Sequence, residues 1–124
     1  MTHGFSISIP TPPSVNNLFA NSKRGGRHKT RAYRAWTQEA GWIAKGQKPE
    51  PVLGEYTYCL TLPKIPSSSD PDNRVKAALD LLVSLKLVEG DSIKFCQGGT
   101  VMIDAARPPG MAEIRVCQPD KHGE

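Results

Sequence analysis

The sequence predicts one small α/β (α+β) domain, a mixed β-sheet with two main helices packed on it. Three observations lead there. Apolar residues at every second position mark half-buried strands, as where Phe5, Ile7 and Ile9 alternate with Ser6 and Ser8. Apolar residues at every third or fourth position mark two amphipathic helices. The order strand, helix, strand, helix, strand, strand within 124 residues fits a single mixed-sheet domain, expected over residues 1–117 with a loose polar tail at 118–124.

Each element has a local cause. Pro10, Pro12 and Pro13 end the first strand. Residues 14–30 show no periodicity and are rich in Asn, Gly, Lys and Arg, so they read as a long loop of the kind that often carries function. Thr30 or a neighbour starts the first helix, which carries Tyr33, Trp36, Ala40 and Ile43 on its apolar side and breaks at Gly46–Pro51. At this helical spacing Tyr33 and Trp36 read as core rather than as base-stacking groups. Residues 54–62 form the second strand, with Tyr56, Tyr58, Leu60 and Leu62 on one face. After Ser67-Ser68-Ser69, the pair Asp70-Pro71 is a strong helix start. That helix is expected over about 71–87, with Val75, Ala78, Leu79, Leu82 and Leu85 as its stripe and Asp72, Lys76 and Asp80 on another face. Two further strands are expected near 92–105, bent at Gly98-Gly99, and near 112–117, joined as a hairpin by Pro108-Pro109-Gly110.

Composition narrows the class of function. A hydrophobic share of 38% with 23% charged residues fits a soluble globular protein. No apolar run is long enough to cross a bilayer, and the first residues lack the pattern of a signal peptide, so the cytoplasm is the expected compartment and no membrane partner is expected. Cys59, Cys96 and Cys117 are odd in number and form no CxxC pair, so free thiols in or near the core are expected. The net charge of +4 is concentrated: Lys23, Arg24, Arg27, Lys29, Arg31, Arg34, Lys45 and Lys48 face only Glu39 between residues 22 and 48. Such a segment attracts a polyanion, most often nucleic acid, although a merely solvated basic surface accounts for the charge alone.

The chemistry gathers at Asp70-x-Asp72-Asn73-x-x-Lys76, with Asp80 further on and Asp91 after the helix. Hydrolysing a phosphodiester requires an activated water, balanced charge on the phosphate and a stabilised leaving oxygen. Mg²⁺ held by carboxylates supplies all three, with Mn²⁺ as a substitute. Asp70 and Asp72 straddle a proline at a helix start, and Lys76, one turn on, reaches toward the same phosphate. A structural reading stays open. Asp70 also fits a helix cap, Asp72 suits the helix dipole, and Lys76 can simply pair along an exposed face. His3, His28 and His122 lack a Ser or Cys nucleophile as partner, and no glycine-rich phosphate loop is present.

Taken together, Pro12-Pro13-Ser14-x-Asn16-Asn17, the basic loop, Asp70-x-Asp72-Asn73-x-x-Lys76-x-x-x-Asp80 and then Asp91 resemble the RusA family of Holliday junction resolvases, from about Ile7 to about Val116. The resemblance implies a Mg²⁺-dependent homodimeric endonuclease that nicks opposed strands of a four-way DNA junction in recombination and repair. It implies Asp70, Asp72 and Asp91 as metal-binding carboxylates and Lys76 as a helper cation. Lys23, Arg24, Arg27, Lys29 and Arg31, with Asn73, would contact DNA. One departure stands out: the family carries two adjacent acidic residues where this chain has Gly90-Asp91. A helix over 71–87 would be about 25 Å long at roughly 1.5 Å per residue. Asp72 and Asp91 are therefore expected to meet across a dimer interface rather than within one subunit. Two other readings compete. One is a non-catalytic nucleic-acid-binding protein, favoured by Gly90; the other is an interaction domain whose acidic helix start is only a cap.

Overall fold

In the computed structural model, which describes residues 3–21 and 25–118, four strands form the main sheet. β1 (His3–Pro10) pairs antiparallel with the last strand, β6 (Met111–Gln118). β6 pairs antiparallel on its other side with β4 (Tyr56–Leu62), and β4 pairs in parallel with β5 (Cys96–Ile103). The order is β1-β6-β4-β5. The period-two pattern sets which face is buried. Ile7 and Ile9, Tyr56, Leu60 and Leu62, and Ala112, Ile114 and Val116 all point into one core. Ser8, at the free edge of β1, gives its N–H to Gln47 Oε1 at 2.9 Å and accepts Gln47 Nε2 at 2.7 Å, so a side-chain amide covers part of that open edge.

Two helices cover the buried face. α1 (Arg31–Gly46) begins at Thr30, whose hydroxyl caps Tyr33 N at 3.1 Å. Its buried stripe is Tyr33, Trp36, Ala40, Gly41 and Ala44. Ala44 takes the place expected of Ile43, which lies at the edge of the stripe and remains exposed. Trp36 Nε1 donates to Pro10 O at 3.0 Å, satisfying the indole as its ring enters the core.

The second helix is shorter than the expected 71–87. A 3-10 turn over Pro71–Arg74 leads into α2 (Val75–Ser84), which buries Ala77, Ala78, Leu79, Leu81 and Leu82. Lys86, at φ 61°, ends it: Leu87 N bonds Leu82 O and Lys86 N bonds Val83 O. The chain then folds back, with Val52 N on Leu87 O at 2.8 Å. α2 is thus the crossover that parallel strands β4 and β5 require.

Three other expectations are corrected. No hairpin joins β5 to β6, because β4 lies between them. The Pro108-Pro109-Gly110 segment still turns, with Met111 N on Pro108 O, but it delivers β6 to the far side of β4. β5 starts at Cys96 rather than near 92, since Phe95 N and Cys96 N both bond Ser92 O in a turn. Gln118, expected in the tail, is the last residue of β6 and its side-chain amide donates to Leu53 O; positions 119–124 lie outside the described residues. The basic loop holds a small hairpin of β2 (Phe19–Asn21) and β3 (Arg27–Lys29), with Gly25 and Gly26 at positive φ near its tip. Among the described residues, no helix is long and apolar enough to cross a membrane, and Cys59, Cys96 and Cys117 are free thiols, each partly buried.

Candidate functional site

Asp70 does cap the helix start. Its Oδ1 accepts Asp72 N at 3.0 Å while its carbonyl accepts Asn73 N at 3.1 Å. One carboxylate oxygen is therefore committed to the turn, and the turn holds Asp72 exposed in its first residues. Two residues on, Arg74 Nη1 donates to Pro12 O at 2.8 Å, which joins this turn to the Pro12-Pro13-Ser14 segment. Arg74 Nε is buried without a hydrogen-bond partner. The two motifs that carry the family resemblance thus sit side by side.

The interior strand β4 carries two tyrosines, Tyr56 and Tyr58. The Tyr56 hydroxyl donates to Gly90 O at 2.8 Å. Burial, Cys96 and then Asp91 all push its ionisation up. Tyr58 ionises above the usual phenol range as well, through burial, then Cys96 and Asp72. The charge of Asp91 is thus felt at Tyr56 and that of Asp72 at Tyr58, with Cys96 acting on both. The helix between the two aspartates in the chain, α2, is shorter than expected, and the chain after it bonds back to the segment leading into β4.

Asp70, Asp72 and Asp91 do not close into a ready site: among the described residues, no three His, Cys, Asp or Glu side chains gather closely enough to hold a metal ion. Their hard oxygen donors are of the type that suits Mg²⁺. Lys76 turns away from Asp72. Its Nζ pairs with Asp80 Oδ2 at 3.4 Å, and the same oxygen accepts the Tyr33 hydroxyl at 3.3 Å.

Gly90, which precedes Asp91, is closely packed. A Cβ there would lie 2.9 Å from the Phe95 ring. That ring occupies the space in which a side chain at position 90 would start.

The expected DNA-contact residues fall into two groups. Arg27 and Lys29 are exposed on β3 and Arg31 is exposed at the start of α1. Asn73 sits in the turn between the aspartates and Lys76. Lys23 and Arg24 lie outside the described residues. The Arg27 guanidinium stacks over Phe19 at 4.8 Å, and Lys29 Nζ sits 5.3 Å from the Tyr33 ring. Tyr33 thus carries Lys29 on its ring and Asp80 on its hydroxyl, which seats the basic hairpin next to Lys76.

Tyr56, Tyr58, Arg74 and Phe95 are the site residues that sequence reasoning missed. Alternation placed both tyrosines on the core face of β4, and that was the one signal they gave. A groove of about 520 Å³ is lined by Tyr58, Cys59, Gly98, Gly99, Arg115 and Cys117, so Tyr58 and the two glycines beside it form part of its wall. No protein-family model matches the chain, and no curated protein matches it.

Proposed function

We propose that this chain is a metal-dependent DNA endonuclease of the RusA type, a homodimer that resolves four-way junctions. The observation that carries this reading is the capped turn that exposes Asp72 and is tied through Arg74 to the Pro12-Pro13-Ser14 segment, with an exposed basic hairpin seated nearby through Tyr33 and Asp80. Bound there, Mg²⁺ would activate water and balance charge on the scissile phosphate. Asp72 and Asp91 would hold it, joined by the oxygen of Asp70 that does not cap the turn.

The chain's other residues divide the remaining work. Arg27, Lys29 and Arg31 neutralise phosphates and set the register of the DNA, with Lys23 and Arg24 adding to the same segment. Asp80 holds Lys76 in reserve at the edge of the site, and Lys76 exchanges that partner for a phosphate oxygen when DNA arrives. A C₂ dimer presents two centres for two symmetric cuts.

One observation favours a second reading, a non-catalytic junction-binding protein. Phe95 fills the space of the second acidic side chain at position 90. Cleavage of a synthetic mobile four-way junction in Mg²⁺ or Mn²⁺, compared with Asp72→Asn, separates the two. Paired symmetric nicks that the variant loses while still binding the junction support the nuclease. Binding without cleavage under either metal leaves the binding protein.

A further inference from the structure

Three features converge on one side chain. The β4–β5 ladder shifts register between Tyr56 and Tyr58. Gly98, opposite that shift, takes φ 131°, a conformation that residues with a Cβ rarely adopt. Gly99, the residue paired with Tyr58, has no room for a Cβ, which would lie 2.5 Å from three atoms of the Tyr58 ring. The ring therefore lies directly against the β5 backbone, and two consecutive glycines make space for it. Irregularities of this kind re-aim a side chain beside functional sites.

The Pro71–Arg74 turn packs against β5, and the charge of Asp72 is felt at the Tyr58 hydroxyl. The two tyrosines differ in what their hydroxyls do. That of Tyr56 is spent on Gly90 O, whereas that of Tyr58 makes no hydrogen bond among the described residues. It is a donor on a ring held against the neighbouring strand, without a protein acceptor among the described residues.

We propose that the Tyr58 hydroxyl is a substrate-positioning group, donating a hydrogen bond to a non-bridging oxygen of the phosphodiester cleaved beside Asp72. This rests on the nuclease reading. A phosphodiester anion suits the position because it accepts the proton and presents its other oxygens to whatever Asp72 holds. A purely structural tyrosine, covering glycine on the neighbouring strand, needs only its ring.

Tyr58→Phe keeps the ring and removes the hydroxyl. With the synthetic junction and Mn²⁺ or Mg²⁺, single-turnover cleavage should fall roughly tenfold to a hundredfold, as when a hydrogen bond to a charged group is removed. Junction affinity and the thermal midpoint should stay as in the wild type. Gly99→Ala, which displaces the ring but leaves the hydroxyl, should lower cleavage as well, with the junction still bound. Wild-type cleavage rates in Tyr58→Phe overturn the proposal and leave the nuclease reading standing. Equal losses of cleavage and thermal stability in that variant also overturn it, since the ring's packing then explains both. A wild-type protein that binds but never cuts removes the nuclease reading and this inference together.

Discussion

The hydroxyl of Tyr33 donates to Asp80 Oδ2 at 3.3 Å, and the same oxygen pairs with Lys76 Nζ at 3.4 Å. Tyr33 is buried, whereas Lys76 is half exposed. The two contacts on Asp80 are thus unequal. The ion pair is solvent-screened and contributes less than about 1 kcal/mol. The phenol hydrogen bond, reached from within the core, contributes about 1 kcal/mol. Tyr33→Phe is expected to destabilise the fold by that amount in urea unfolding. Lys76→Ala is expected to change it by less than about half as much. A double-mutant cycle of Tyr33→Phe with Asp80→Asn should show that the two costs are not additive.

Alkaline pH probes the same tyrosine. Burial, helped by Asp80, pushes Tyr33 up to about 12 from its ordinary 10.0. Below pH 10 the phenol is protonated in both the folded and unfolded chain, and its contribution is fully present. Between pH 10 and about 12 the unfolded chain gives up the proton and the folded one keeps it, so stability falls as pH rises. Tyr56 and Tyr58, both pushed upward, steepen the fall. Urea midpoints measured across this range should drop, and less steeply for Tyr33→Phe. A midpoint that stays flat up to pH 12 would exclude the buried phenol as the cause.

Local signals wrote most of the elements into the sequence. β1, β4 and β6 are half-buried strands whose alternation is a property of the segment itself, so their faces were legible. Asp70-Pro71 marked the start of the second helix for the same reason. Its end was not legible, because Lys86 takes the left-handed position where glycine is the usual signal. The absence of a β5–β6 hairpin was also hidden, since which strands become neighbours is decided by the core and not by a turn. The candidate site divides along the same line. Asp72 and Asp91 were named through the resemblance that their motif carries, since residue type alone also fits a cap and a turn. The seating of Tyr58 over Gly99 depends on register between strands far apart in the chain, and Phe95 over Gly90 depends on a turn that no local pattern announced.

The basic hairpin yields a prediction for binding. Arg27 and Lys29 are exposed, and each rests on an aromatic ring, Phe19 and Tyr33 respectively. That support holds the cations in place without burying them, which leaves both free to meet phosphates. Arg27→Gln with Lys29→Gln removes two charges and keeps polar side chains of similar reach. Junction affinity should fall, and the slope of log K against log salt should become shallower by roughly 2, near 0.9 for each phosphate no longer neutralised. Titrations at several salt concentrations measure it. An unchanged slope would show that the DNA is held elsewhere on the surface.

Position 90 joins packing to chemistry. Gly90→Asp, which adds a second acidic residue beside Asp91, puts a Cβ 2.9 Å from the Phe95 ring. The same residue's carbonyl accepts the Tyr56 hydroxyl at 2.8 Å, so the backbone cannot shift freely to relieve the clash. The ring must move instead, at an expected cost of about 1–3 kcal/mol, as for other overpacked sites. Phe95→Leu vacates part of that space. The double variant should therefore be more stable than the sum of the two single changes, a coupling that thermal and urea unfolding both read. If position 90 lies at the metal centre, the double variant should also need less Mg²⁺ for half-maximal cleavage, because it adds a carboxylate beside Asp91. Coupling in stability with no change in the metal requirement would place the new carboxylate outside the centre and return Gly90 to a purely packing role.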